Sequence, residues 1–376
     1  MYTSYMSVEK PLIPYGATGV DYGILDRLKR EAQIQAKETA ENLNRFGMQE
    51  IAASRGESAY VWEEADSYRA FVIEGLGTKN RAADGTRKIT GKTYYDNLAQ
   101  DTVAMIVNDL IVVGADPQVV NAYFAVGSSD WFSDEQRSLD LVRGWKQACD
   151  MAGATWGGGE TPTLKHIIEP DTIDLAGSAI GIVKPKERLT LGEKLTPGDA
   201  IVLVESSGIH ANGLTLARAI AEELPQGYAT QLPDGSLYGE ALLTPTHIYA
   251  NLVRDLFEQG IDIHYMVNIT GHGWRKLMRA EKELSYVIEQ VPLPHSVFHF
   301  IQEQSGNSDE EMYGNFNMGA GFALFVPEAQ AALITQLAKQ QHNLDALHAG
   351  VVKEGARQVI INPENITFAR QTLEVR

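Results

Sequence analysis

The 376-residue sequence has one cysteine, no run of basic residues and no long apolar stretch. A single cysteine, Cys149, excludes an intrachain disulfide and agrees with a reducing compartment. No apolar run reaches the ~18 residues that a membrane-spanning helix needs, and residues 1–10 lack the apolar core of a signal peptide. We therefore expect a cytoplasmic protein with no membrane partner.

Positive charge is scarce as well. Lys and Arg number 32 against 49 Asp and Glu, so the formal net charge is −17 at pH 7. Such a chain repels nucleic acid and anionic membranes through its overall field, and we expect neither as a partner. An anionic ligand would need recruited cations, or backbone N–H groups aimed at it.

The most informative stretch is DTVAMIVNDLIVVGADP, residues 101–117. At ~100° per residue its apolar residues cover one broad side of a helix, and Asp101, Asn108 and Asp109 share the narrow remaining side. A helix this apolar is expected to be buried, so these three oxygen-bearing side chains need a partner. A hard cation or a hydroxylated ligand would supply one. The alternative is a solvated edge with Asp101 as a helix cap.

Two glycine-rich turns carry an acidic residue. A short apolar strand at 71–73 leads into EGLGTK, residues 74–79, where the glycines let the backbone approach a ligand and Lys79 adds a point charge suited to phosphate. This is not the P-loop pattern, because the first glycine is missing at the required distance. The second turn is GGGET, residues 157–161. Each turn offers a carboxylate as a metal ligand or, equally, as a solvated surface acid: Glu74 and Glu160.

The polar segment 184–199, with two prolines, is typical of a connection between domains. We therefore predict two domains, at 1–183 and 184–376, both with mixed strands and helices of the α/β and α+β classes. We also predict a helix over 244–260 and a closing hairpin over 350–361.

Two stretches of the second half carry polar groups at loop positions. After a strand, SSGIHANG (residues 206–213) leads into a helix, which suits an anion at a helix N-terminus. In NITGHGW, residues 268–274, His272 stands between two glycines and is expected to be accessible. The alternative is an ordinary loop histidine.

Eight motifs in one order and spacing resemble a single family. They are YGATGVD, EGLGTK, DTVAMIVNDLIVVGADP, GGGET, SSGIHANGLTLAR, LTPTHIY, NITGHGW and EMYGNFNMGAGF. From about residue 15 to residue 361 the chain resembles phosphoribosylformylglycinamidine cyclo-ligase, the aminoimidazole ribonucleotide synthetase of purine synthesis. Its superfamily includes formylglycinamidine ribonucleotide amidotransferase, selenophosphate synthetase and thiamine monophosphate kinase.

The resemblance implies a homodimer that binds ATP, Mg²⁺ and a small nucleotide substrate. The strands of the N-terminal domain would pair with those of a second subunit to form a barrel, beside an α+β C-terminal domain. The implied nucleotide-binding residues are Gly75, Gly77, Thr78, Lys79, Asp101, Asn108 and Thr161. The implied metal ligands are Glu74, Asp101, Asn108, Asp109 and Glu160, which would converge on one cation. The implied substrate-binding residues are Ser206, Ser207, Gly208, His210 and Asn212.

The chain departs from the family pattern at the expected site. The family motif DGVGTK begins with Asp where this chain has Glu74, and HITGGG has a histidine where this chain has Asn268. An amide does not titrate, so Asn268 cannot replace a histidine in proton transfer, and His272 is the candidate to reach the same spot. With Lys79, these two are the candidate catalytic residues. Three functions stay open: the cyclo-ligase, a related phosphotransferase with another substrate, and a nucleotide-binding dimer without turnover.

Overall fold

The computed structural model describes residues 22–373. The motif YGATGVD, residues 15–21, lies outside the described residues. Within them the chain forms two β-sheets, one in each half, with helices packed on both, so the predicted two-part mixed α/β fold is confirmed. No helix in residues 22–373 is long and apolar enough to cross a membrane.

The first half holds a six-stranded sheet in the order β1-β2-β3-β6-β4-β5, and only the β4–β5 pair is parallel. Its strands are β1 (Gln49–Glu50), β2 (Tyr60–Glu63), β3 (Tyr68–Gly75), β4 (Asp116–Val126), β5 (Thr155–Glu160) and β6 (Ile173–Val183). Its helices are α1 (Tyr22–Glu38), α2 (Lys79–Thr90), α3 (Tyr95–Ile111) and α4 (Glu135–Ala152).

The second half holds a seven-stranded sheet in the order β13-β12-β9-β11-β7-β10-β8. Its strands are β7 (Asp199–Glu205), β8 (Tyr265–Asn268), β9 (Leu284–Ile288), β10 (Ala320–Pro327), β11 (Ala346–Glu354), β12 (Gln358–Ile361) and β13 (Ile366–Ala369). Its helices are α5 (Leu214–Glu223), α6 (Tyr238–Leu242), α7 (Ala250–Glu258), α8 (Ser296–Ser305), α9 (Asp309–Asn315) and α10 (Glu328–His342). The predicted hairpin over 350–361 is wrong, because β9 lies between β11 and β12 and pairs with both.

Helix α3 covers one face of the first sheet, and the opposite face, which we call the open face, stays accessible. Residues of β3 alternate between the two faces: Val72 is buried under α3, whereas Phe71 and Ile73 are 42% and 70% exposed. Strand β6 alternates in the same way along its whole length. The first sheet therefore presents apolar side chains on a face that its own helices leave uncovered.

The polar stripe of α3 holds an extended segment of the second half, residues 244–249. The Asn108 amide donates to the carbonyl of His247 at 2.8 Å, and its oxygen accepts the Tyr249 N–H at 3.0 Å. Asp101 accepts the Thr246 N–H at 2.8 Å. The predicted helix over 244–260 begins only at Ala250, because these backbone groups bond to α3 rather than to a helical turn.

The α3 stripe is therefore expected to stabilise the contact between the two halves. Asn108→Ala removes two hydrogen bonds and leaves a buried N–H and a carbonyl without a partner, so it should lower the free energy of unfolding by about 2–4 kcal/mol. Urea titrations would measure this loss. The control is Asn97→Ala on the same helix, which removes one bond, to the Leu243 carbonyl, and should cost about 1 kcal/mol. Equal losses in the two variants would contradict the expectation.

Candidate functional site

A pocket with a volume of about 320 Å³ lies between the two halves of the chain. The first half contributes Glu74 from the end of β3 and Asp109 from α3. The second half contributes Asn212, just before α5, and His272, which follows β8. Four residues that the sequence assigned to metal, substrate and catalysis thus come together in one place.

Glu74 and Asp109 form a pair of neighbouring carboxylates. Burial and the negative charge of Asp109 raise the pKa of Glu74 to about 7, against the opposing positive charge of Lys276. Burial and a neighbouring carboxylate both disfavour the charged form of Glu74, so a bound cation would stabilise it. Mg²⁺ is commonly held by one or two carboxylates together with the phosphates of a ligand, so this donor set fits it.

Asn268 lies at the end of β8 and is 3% exposed. Its amide donates to Oδ1 of Asp109 at 2.6 Å. The amide therefore orients one member of the carboxylate pair. A role for Asn268 in catalysis stays a prediction, and in this geometry it would act through Asp109.

His272 lines the pocket at the start of the tight helical turn Gly273–Met278, with a positive φ of 69°. The next residue must be glycine, because a Cβ on Gly273 would lie 2.2 Å from the Tyr313 carbonyl oxygen. This close approach fixes the turn that carries His272. His272 is half-buried and lines the pocket, and its catalytic role stays a prediction.

Lys79 and Asp101 are both fully buried and form an ion pair with each other, with Nζ 2.7 Å from Oδ2. The Lys79 ammonium also donates to the carbonyls of His210 and Thr244, at 2.8 and 3.1 Å. Neither Lys79 nor Asp101 lines the pocket. Asp101 and Asn108 of the polar stripe are therefore paired with other groups of the protein. The sequence had left open either a bound ligand or a solvated edge at these positions.

Most of the predicted substrate-binding residues bond within the protein. The Ser206 hydroxyl donates to Asn317 at 2.8 Å, and the Ser207 hydroxyl donates to the Pro245 carbonyl at 2.6 Å. His210 is buried, burial holds its pKa well below the usual value, and its ring accepts the Ser207 N–H. These bonds shape the loop between β7 and α5. Of the five residues assigned to substrate, Asn212 lines the pocket, whereas four do not: Ser206, Ser207, Gly208 and His210.

The turn between β3 and α2 has a backbone conformation at position 77 that favours glycine. Gly77 has a φ of +72°, and a Cβ on it would meet nothing within 4 Å. The turn ends at Thr78, directly before the N-terminus of α2, where free N–H groups suit an anion. The assignment of Gly75, Gly77 and Thr78 to nucleotide stays a prediction.

Glu160 does not join the carboxylate pair within one chain. It is exposed and lies in the same row of the sheet as Gly75, three strand spacings or ~14 Å away. Neighbours in a row share a face, so Glu160 points to the open face, whereas Glu74 points under α3. The expectation that Glu74, Asp101, Asp109 and Glu160 converge on one cation is therefore wrong for a single chain. Residues 22–373 contain no cluster of three acidic, histidine or cysteine ligands that could hold a metal.

Four charged residues of the pocket were not among the predicted site residues: Lys29, Glu57, Lys276 and Arg279. Arg279 lies 3.6 Å from Glu57, and the Tyr265 hydroxyl donates to the same carboxylate. Lys276 comes from the turn that follows His272. The sequence marks two of them only by the segment WRKLMR after the glycine turn, whose three basic residues are equally typical of a surface helix.

Family models and related proteins match this chain over most of its length. Residues 56–183 match the family of AIR synthase related proteins in its N-terminal domain, and residues 196–362 match its C-terminal domain. A phosphoribosylformylglycinamidine cyclo-ligase of Methanococcus maripaludis is 32% identical over 91% of this chain and 93% of its own length. One of Thermococcus kodakarensis is 34% identical over 92% of this chain and 98% of its own length.

Solved structures share the fold at lower identity. A HypE–HypF complex matches with a TM-score of 0.60 at 16% identity, covering 85% of this chain and 94% of that chain. Thiamine-monophosphate kinase of Stenotrophomonas maltophilia matches with a TM-score of 0.57 at 16% identity, covering 81% and 88%. AaThiL, solved with AMPPCP and TMP, matches with a TM-score of 0.55 at 15% identity, covering 83% and 89%.

Proposed function

Because this chain belongs to the family of AIR synthase related proteins, we propose that it is an ATP-dependent cyclo-ligase of cytoplasmic purine synthesis. Its substrate would be formylglycinamidine ribonucleotide and its product aminoimidazole ribonucleotide. The observation that carries the proposal is the meeting of Glu74, Asp109, Asn212 and His272 in one pocket. Relatives named as this cyclo-ligase over more than nine-tenths of the chain support it.

The reaction needs positioning and charge stabilisation more than a nucleophile on the protein. The terminal phosphoryl group of ATP passes to an amide oxygen of the substrate, leaving ADP. A nitrogen of the same substrate then attacks that carbon, phosphate and a proton leave, and the imidazole closes. No covalent intermediate with the protein is required, so oriented groups can supply the rate.

Each pocket residue has a role in this scheme. Glu74 and Asp109 would hold Mg²⁺, which supplies positive charge against the phosphates when bound. Asn268 keeps Asp109 oriented through its 2.6 Å hydrogen bond. His272 reaches the pocket and is the titratable group suited to move a proton on the substrate, and Asn212 would hold the substrate in place.

The proposed assembly is a homodimer joined through the open face of the first sheet. Phe71 and Ile73 project from this face, and the family resemblance implies a barrel built from the strands of two subunits. A second copy of the same face would cover these side chains.

One assay tests the function. Purified protein is incubated with formylglycinamidine ribonucleotide, ATP and Mg²⁺, and ADP and the aminoimidazole product are followed. Formation of both is expected. ATP consumption only with another amide, acid or hydroxyl substrate would identify the related phosphotransferase, which Asn268 favours because an amide stands where the family has a histidine. Nucleotide binding without any turnover would leave a non-catalytic dimer.

Stability of the ligand-free protein should fall with pH because of Glu74. Folding raises the pKa of this acid from 4.5 to about 7, so the folded protein loses stability as the pH rises through that window. Glu74→Gln removes the effect and should raise the free energy of unfolding by up to about 3 kcal/mol at pH 8, with a smaller gain at pH 5. Urea titrations at both values measure the difference. Glu303→Gln, at an exposed acid of α8, is the control, and an equal pH trend in both variants would refute the expectation.

A further inference from the structure

Lys276 lies in the wall of the pocket and is only 9% exposed. Its ammonium donates to the carbonyl of Asn268 at 3.3 Å and to the hydroxyl of Thr270. Both acceptors are neutral, and an ammonium has three N–H donors. One donor is therefore left for a ligand.

Two other positive groups near the pocket and the domain contact have a carboxylate partner. Lys79, equally buried, has Asp101 at 2.7 Å, and Arg279 has Glu57 at 3.6 Å. Within the part of the chain that the structure describes, no carboxylate forms an ion pair with Lys276. A charge taken out of water without a direct partner is costly.

Carboxylates do lie near Lys276 without touching it. The charges of Asp109, Glu74 and Glu57 favour the charged form of this lysine, although burial lowers its pKa overall. The pocket wall thus holds the carboxylate pair and, near it, a buried ammonium. A ligand that contacts both would carry a divalent cation towards the carboxylates and an anionic oxygen towards Lys276.

We propose that Lys276 binds an anionic phosphate oxygen of the ligand in this pocket. The inference rests on the proposed function and adds a residue that neither the family motifs nor the glycine-rich turn indicated. A lysine ammonium is a compact point charge suited to phosphate. Phosphate binding is the role that the sequence predicted for Lys79, but the charge of Lys79 is already neutralised by Asp101. Two phosphates could supply the oxygen: the terminal phosphate of the nucleotide or the 5′-phosphate of the ribonucleotide.

The test measures binding by calorimetry, in the presence of Mg²⁺, of three ligands: AMPPCP, ADP and aminoimidazole ribonucleotide. The variants Lys276→Met and Lys276→Gln both remove the charge. They should weaken binding of the relevant ligand at least about tenfold. Lys92→Gln, which removes the charge of an exposed lysine, should bind as the wild type does.

The three ligands distinguish the two sources. A loss for AMPPCP but not for ADP assigns Lys276 to the terminal phosphate of the nucleotide, and a loss for aminoimidazole ribonucleotide assigns it to the sugar phosphate. Unchanged affinity for all three ligands would overturn the inference. A loss confined to one of the two variants would also overturn it, because it would indicate packing rather than charge.

Thermal unfolding without ligand separates binding from a structural role. Removing a buried charge that lacks an ion pair should leave the midpoint unchanged or raise it. A fall of more than about 5 °C would make Lys276 a structural residue and refute the inference. If the wild type shows no cyclo-ligase turnover but its AMPPCP affinity still depends on Lys276, only the proposed function fails. An active wild type with unaffected binding in both variants refutes the inference alone.

Discussion

Asp109→Asn is expected to reduce kcat/KM of the cyclo-ligase reaction about 1,000-fold while the protein stays folded. The new side chain can turn its carbonyl oxygen towards the Asn268 amide, so the 2.6 Å hydrogen bond has a replacement. The substitution removes one of the two carboxylates that would hold Mg²⁺. The loss should appear in steady-state assays, with a higher Mg²⁺ concentration needed for half-maximal rate.

The control for this change lies on the same helix. Asp96→Asn removes an exposed acid in the first turn of α3 and should keep nearly full activity. If Asp109→Asn retained more than a tenth of the wild-type kcat/KM, the pair formed by Glu74 and Asp109 would not be the metal site. A lower free energy of unfolding would instead point to damage of the fold.

Ile73→Lys is expected to convert the proposed homodimer into monomers. Ile73 is 70% exposed in one chain and lies in the open face, beside Phe71 on the same strand. A lysine there would have to lose its water within an apolar interface, a cost that a dimer contact does not repay. Light scattering coupled to gel filtration should report one chain, 41.3 kDa, instead of twice that mass.

The matched control is Leu293→Lys, which changes an even more exposed apolar side chain, 88% exposed, in the second half of the chain. It should leave the dimer intact. A wild type that elutes as a monomer, or an Ile73→Lys variant that stays dimeric, would refute the assignment of the open face as the subunit contact.

Local patterns predicted the parts of this structure that depend on neighbouring residues. The periodicity of residues 101–117 indicated a buried helix with one polar stripe, and α3 is that helix. The glycines around His272 indicated a turn that exposes it, and the turn lies in the pocket wall. Both features depend on the spacing of residues that are close together in the sequence.

Long-range partners were beyond the reach of local patterns. A lysine after a glycine-rich turn suits phosphate, but Lys79 forms an ion pair with Asp101 instead. Its ammonium also donates to two carbonyls of the second half, which are more than 100 residues away along the chain. The hairpin over 350–361 failed for the same reason, because β9 enters between its strands. Lys276 went unnoticed because only packing distinguishes a buried lysine from a solvated one.

Helix α3 contributes both to the pocket and to the contact between the two halves. Its Asp109 faces the pocket, and its Asp101 and Asn108 grip the backbone of residues 244–249. Swinging the halves apart to admit a ligand would break buried bonds one after another along the helix. We therefore expect a ligand to enter and leave through the mouth of the pocket, without a hinge motion that separates the two halves.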